Sequence, residues 1–76
     1  MRIELVIWKD ASAHEGWESA EDTHDDDYVI TSIGFVFKET ENNLTLAMDI
    51  AEDGTSNGRG RIPKDMIIKR EIIREG

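Results

Sequence analysis

The strongest constraint on the fold is a period of two in the apolar residues. Residues 28–38 form the clearest such run, and residues 2–8 and 44–51 repeat the pattern. Successive side chains point to opposite faces of a strand, so each run predicts a strand rather than a helix. Residues 66–73 predict a further strand that is apolar on both sides. The sequence therefore predicts an all-β domain.

The connections favour a compact antiparallel sheet. Residues 39–43 predict a hairpin turn, and residues 52–60 predict a loop. Pro63 marks an edge strand or a bulge because it cannot donate to a ladder. Gly34 predicts a bend or a close approach of another backbone. Residues 11–15 predict one helical turn, capped by Asp10 or Ser12.

We expect a single domain over residues 1–76. Its architecture is a small antiparallel barrel or a strongly bent sheet of four to five strands, SH3-like or Sm-like in size. Within each run, the more apolar side is the predicted core. That core comprises Ile3, Leu5, Ile7, Ile33, Phe35, Leu44, Leu46, Met48, Ile67 and Ile72.

The charge balance narrows the range of partners. The chain has nine basic and 17 acidic residues, which gives a net charge of −8. This argues against general nucleic-acid binding and against anionic membranes. Residues 10–27 hold eight acids and no lysine or arginine, whereas residues 59–76 carry six bases against three acids. An anionic ligand is therefore expected near the C-terminal third.

Catalytic and metal chemistry find little support in the sequence. The chain has no cysteine, so it has neither a disulfide framework nor a thiolate zinc site. His14, His24 and residues 25–27 fit no calcium-loop spacing, and a solvated acidic loop is the favoured interpretation. No local serine–histidine–acid arrangement occurs. We predict a protein that is not an enzyme, with no catalytic residues, no metal site and no cofactor.

The chain does offer residue types that suit a nucleotide. Arg59, Arg61 and Lys64 lie near glycines, and flexible backbone with cations can surround a phosphate; the alternative is a flexible hairpin loop. Trp8 and Trp17 can stack on a base, unless they cover the second face of the sheet. Serine and threonine hydroxyls can bind sugar or phosphate edges. The predicted ligand-binding residues are Trp8, Trp17, Ser32, Thr55, Ser56, Arg59, Arg61 and Lys64.

Several short motifs carry a resemblance. They are Trp8-x-Asp10-Ala11, Gly16-Trp17, Ser32-Ile33-Gly34-Phe35, Leu46-Ala47 and Ile62-Pro63-Lys64-x-Met66-Ile67. The pattern resembles a family of very small proteins of bacteriophages and mobile elements, which overlaps the viral anti-CBASS sponge proteins. The resemblance implies a protein that binds a cyclic dinucleotide immune signal without cleaving it.

Two other functions stay open. The acidic residues 18–27 could mimic nucleic acid in a protein-binding inhibitor or adaptor, and an Sm-like RNA binder ranks third.

We also expect a homodimer or higher oligomer, with residues 66–73 as the subunit contact. The start of the chain does not resemble a signal peptide, and no apolar stretch approaches 18 residues. The expected location is the cytoplasm, or the host cytoplasm if a phage encodes the protein.

Overall fold

The computed structural model describes residues 1–10 and 28–76. These residues form one five-stranded antiparallel sheet with the strand order β4-β3-β2-β1-β5. The elements are β1 (Ile3–Asp10), β2 (Tyr28–Glu39), β3 (Asn43–Ile50), β4 (Ser56–Pro63), a 3-10 turn (Lys64–Met66) and β5 (Ile67–Arg74). The predicted all-β class, the β2–β3 hairpin and the edge position of Pro63 are confirmed.

Two local predictions need comment. Residues 52–60 were expected to be a loop, but their second half belongs to β4, which begins at Ser56. The three glycines of this segment predict a loop because glycine has a low strand propensity. Pairing with β3 nevertheless holds the second half in the sheet. The predicted helical turn at 11–15 lies outside the described residues; the short turn that the structure does show is Lys64–Met66.

The sheet is bent and is not closed into a barrel. β4 and β5 are its two edges, yet only the three-residue turn separates them in sequence. In a flat sheet these edges would lie four strand spacings apart, about 19 Å. The four steps from Pro63 to Ile67 can span at most about 14 Å. The short connection therefore forces the sheet to curl at this end.

Gly34 marks a place where two backbones meet closely. A Cβ atom at Gly34 would lie 2.8 Å from the carbonyl oxygen of Ala47 on β3. Real Cβ atoms do not approach a backbone oxygen so closely, so this position requires glycine. The predicted close approach of another backbone is confirmed.

The buried core lies on one face of the sheet, which we call the core face. Its centre is Val6, Leu44, Leu46 and Ile62, with Trp8, Val36 and Ile67 packed against it. The register places Glu4, Val6 and Trp8 of β1 on this face and leaves the alternating Ile3, Leu5 and Ile7 on the other, which we call the outer face.

The predicted core was right for Leu44 and Leu46 of β3 and wrong for much of the rest. Leu44 and Leu46 are buried, and Ile67 packs against the core. Ile33, Met48 and Ile72 were predicted to be buried but are 62%, 67% and 50% exposed. Ile3, Leu5, Ile7 and Phe35 are only partly buried. The apolar alternation of β1 predicts Ile3, Leu5 and Ile7 on the core side, but the core side carries Glu4, whose charge is paired there.

An ion-pair network, which we call the Glu4 cluster, ties β5 to the rest of the sheet. Glu4 is 2% exposed and pairs with Arg2 and Arg70, each at 2.7 Å. Arg70 also pairs with Glu39 at 3.0 Å, and Glu39 pairs with Lys64 at 2.7 Å. The cluster therefore joins β1, β2, the 3-10 turn and β5 at the curled end of the sheet.

Candidate functional site

A groove opens on the core face, and its shape comes from residues that lack side chains. Gly58 and Gly60 of β4 lie two residues apart, so both belong to the face that carries Ile62. Around a Cβ atom placed at Gly60, no other atom lies within 4 Å. Gly60 therefore leaves open backbone beside the core, whereas the side chain of Met48 covers Gly58.

The groove is mostly apolar and has a volume of about 370 Å³. This volume lies at the lower end of the range for small-molecule sites, roughly 300–1,000 Å³. The residues around it are Trp8, Ser32, Ile33, Leu46, Ala47, Met48, Gly58, Gly60, Arg61 and Ile62. Four of the five strands therefore contribute to it.

Trp8 is held in place at the groove by a hydrogen bond. Its indole Nε1 donates to the hydroxyl oxygen of Ser32 at 3.1 Å, and its ring packs against the core cluster. The bond and the packing together limit the rotation of the ring. Trp8 thus supplies a fixed aromatic surface in the groove that Gly60 also borders.

Gly58 and Met48 define the opposite side of the groove. Gly58 has a φ of +66°, in the left-handed region that glycine adopts without strain. A Cβ atom there would lie 2.8 Å from Cβ of Met48. Met48 itself is largely exposed, so its flexible thioether forms an adaptable border.

Three of the predicted ligand-binding residues come together at this groove: Trp8, Ser32 and Arg61. Arg61 is opposite Thr45 in the register, which assigns its side chain to the outer face. β4 is an edge strand, so a side chain as long as arginine can turn around it and reach the groove. Trp17 lies outside the described residues.

The other predicted cations do not join Arg61. The Arg59 guanidinium lies over the ring of Phe37, 5.3 Å from its centroid. Lys64 pairs with Glu39 and borders a second, more polar cavity that includes Glu41 and Asp65. Lys64 is therefore held by its ion pair with Glu39, whereas Arg59 and Arg61 share the outer face by register. A phosphate site made of all three cations stays a prediction.

The two remaining predicted hydroxyl residues, Thr55 and Ser56, are not among the residues that border the groove. Both the backbone N–H and the hydroxyl of Thr55 donate to Oδ1 of Asp53, at 3.0 and 2.8 Å. The bond from the Thr55 backbone is the main reason that the pKa of Asp53 is lowered. Ser56 begins β4 opposite Ile50 and does not border the groove. Thr55 thus serves the turn rather than a ligand.

Sequence reasoning missed the roles of Met48, Gly58 and Gly60. A signal for the glycines was present, because two glycines at a spacing of two share one strand face. This spacing indicates a strand face only if the segment is a strand, whereas its three glycines predict a loop. Met48 was assigned to the core by its alternation with Leu44 and Leu46, which does not show where the core ends.

Neither a metal centre nor a membrane helix occurs within the described ranges. Residues 1–10 and 28–76 contain no group of three histidine, cysteine, aspartate or glutamate side chains placed to hold a metal ion. The same ranges contain no helix with the length and hydropathy to cross a membrane.

Comparison with protein-family models, with curated proteins and with solved structures finds no match to this chain. The resemblance to small phage proteins therefore stays a prediction, and the case for a function depends on the groove.

Proposed function

We propose that this protein is a phage-type binding protein that holds a cyclic nucleotide or dinucleotide by one base in the core-face groove. It sequesters this immune signal in the host cytoplasm and does not cleave it. The observation that supports the proposal is the groove that the open backbone of Gly60 and the anchored indole of Trp8 both border. A planar ring can enter such a slot and stack on the indole, an interaction worth roughly 1–3 kcal/mol per base.

The lining indicates how such a ligand would be oriented. Among the described residues at the groove, Arg61 is the one with a charged side chain, and most of the others are apolar. A base suits the apolar interior, and its phosphate suits the border at Arg61. A hydrogen bond to a charged group contributes roughly 1.5–3 kcal/mol. Base stacking and a single phosphate contact together account for binding without a cluster of cations.

We also propose that the protein forms a homodimer or a higher oligomer through β5. Among the described strands β5 is an edge of the sheet, and none of them pairs with one side of its backbone. Ile68, Ile72 and Ile73 on this strand are each at least half exposed. An antiparallel pair of β5 strands would cover these side chains and extend the sheet across both subunits.

The experiment is calorimetry against linear mononucleotides, cyclic mononucleotides and cyclic dinucleotides. Gly60→Leu fills the groove with a side chain and should abolish binding. Asn57→Leu is the matched control, because it adds the same side chain to β4 on the other face, opposite Asp49. Arg61→Ala should weaken binding by roughly 1.5–3 kcal/mol.

Thermal melting provides a second readout that does not depend on the heat of binding. A ligand at 100 times its Kd stabilises the folded state by about 2.7 kcal/mol. This corresponds to several degrees in Tm for a small domain. The proposal is rejected if no nucleotide produces heat or a shift in Tm. It is also rejected if Gly60→Leu binds a nucleotide as well as the wild type does.

The alternative inhibitor that mimics nucleic acid depends on residues 18–27, which lie outside the described residues. It makes a different prediction for the same samples. The chain would then bind no nucleotide, and replacing the acids of this segment by amides would abolish inhibition of a nucleic-acid enzyme.

A further inference from the structure

The outer face carries a continuous apolar stripe at the centre of the sheet. The register pairs Ile3 with Phe35 and Leu5 with Ile33, so these side chains lie side by side on β1 and β2. Ile33 is 62% exposed although β2 is the middle strand of the five. Scattered exposed apolar side chains are normal, but a contiguous patch of them indicates an interaction site.

Basic residues flank this stripe on both sides. One row of directly opposed residues crosses the whole sheet: Arg59, Ala47, Phe35, Ile3 and Arg74. It places an arginine at each edge and apolar side chains between them, of which Ala47 is buried and Phe35 and Ile3 are partly exposed. An apolar centre with a polar rim is the usual anatomy of a protein interface.

The charge of the outer face is opposite to that of the whole chain. The register assigns six basic residues and two acidic ones to this face, a local charge of +4 within a net charge of −8. The basic residues are Lys9, Lys38, Arg59, Arg61, Lys69 and Arg74, and the acidic ones are Asp49 and Glu71. Such a segregated surface favours an acidic partner by electrostatic complementarity.

We infer that the outer face is a docking surface for an acidic protein partner, whose apolar side chains cover the stripe and whose carboxylates contact the basic rim. A second copy of the chain is disfavoured on this face, because it would oppose one basic rim to another. Single-stranded nucleic acid is disfavoured because the centre is mainly aliphatic and the ring of Phe37 is already covered by Arg59. The groove opens on the core face, although Ile33 and Arg61 border it as well. The inference does not depend on nucleotide binding there.

The test is selection from a random peptide display library on the purified full chain, followed by Kd measurements on synthetic copies of the enriched peptides. We expect enriched peptides to combine large apolar residues with aspartate or glutamate. Their binding should weaken with added salt. No enrichment, or enrichment of basic peptides, would overturn the inference.

Two variants of similar exposure show which face is used. Ile33→Gln should weaken peptide binding by about tenfold, the scale of one contributing interface residue. Ile72→Gln is the control, because Ile72 is opposite Glu4 and so belongs to the core-face side. Equal weakening by both variants would overturn the inference. So would displacement of the peptide by an oligothymidylate, or a wild-type dimer that Ile33→Gln dissociates in sedimentation.

Discussion

The carboxylate of Glu4 and the guanidinium of Arg70, 66 residues apart, form a bidentate ion pair on the core face. Nε of Arg70 donates to Oε1 at 2.7 Å, and Nη2 donates to Oε2 at 2.9 Å. Glu4 is almost fully buried, whereas Arg70 is partly exposed. The pair joins β1 to β5, and its two members differ in their access to water.

This difference predicts unequal effects of removing each partner. Arg70→Met leaves a buried carboxylate with Arg2 as its one remaining ion-pair partner among the described residues, and it should cost about 3–5 kcal/mol. Glu4→Met leaves Arg70 paired with Glu39 and in contact with water, so it should cost less. Urea unfolding of both variants measures the difference.

The double variant Glu4→Met/Arg70→Met is the control for this comparison. A buried ion pair can often be replaced by apolar residues of similar volume with little loss. We expect the double variant to be more stable than Arg70→Met alone. If the two single costs simply add, the pair is not energetically coupled and this account of the Glu4 cluster is wrong.

The Glu4 cluster also predicts how stability depends on pH. Hydrogen bonds from Arg70 and then Lys64 lower the pKa of Glu39 from 4.5 to about 2, and bonds from Arg70 lower the pKa of Glu4. A lowered pKa in the folded state stabilises the protein above the unfolded pKa, and this contribution is lost as the pH falls. For Glu39, the loss should run from about pH 4.5 down to about 2.

Comparison with Glu39→Gln isolates this effect from the titration of the other carboxylates. The free energies of unfolding of the wild type and the variant should differ most above pH 5.5, about one unit above the ordinary pKa. The difference should shrink as the pH falls toward 2. A difference that stays constant over this range would show that the Glu39 carboxylate does not stabilise the fold through its charge.

The sequence predicted the strands well because alternation is a local property. The hairpin at residues 39–43 and the edge position of Pro63 followed from turn and proline chemistry alone. Alternation does not say which face is buried, and this is why Ile33 was assigned to the core and Glu4 was not. Glu4 is paired with its sequence neighbour Arg2 and also with Arg70, and no local pattern connects Glu4 to a residue as distant in sequence as Arg70.

The candidate site was predicted in part for the same reason. Trp8 and Ser32 were selected by chemistry, and the register of β1 and β2 brings them into contact. Arg59 and Lys64 were grouped with Arg61 by nearness in sequence. Strand alternation places Arg59 on the outer face together with Arg61, and the 3-10 turn brings Lys64 to Glu39.

Two residues of β3 test the assignment of the core. Leu46 is buried and Met48 is largely exposed, although both continue one alternating run. Leu46→Ala should cost about 2–5 kcal/mol, whereas Met48→Ala should stay within about 0.5 kcal/mol of the wild type. Chemical denaturation provides both values. Equal costs would show that the core extends along β3 beyond Leu46 to Met48.

Two glycines should respond in opposite ways to alanine. Gly34→Ala places a methyl group 2.8 Å from a backbone oxygen, and overpacking of this kind costs about 1–3 kcal/mol. Gly60→Ala meets no atom within 4 Å, so it should be neutral or stabilise by up to about 1 kcal/mol. Thermal melting distinguishes them, and a destabilised Gly60→Ala would contradict the open groove.

The most direct test of the proposed function is a ¹H–¹⁵N correlation spectrum recorded during titration with a cyclic dinucleotide. We expect shifts at the indole N–H of Trp8 and at the amides of Gly58 and Gly60, with Thr31 and Lys69 on the outer face unchanged. Trp8→Phe identifies the indole signal. A spectrum without shifts, or with shifts confined to the outer face, would contradict nucleotide binding in the groove.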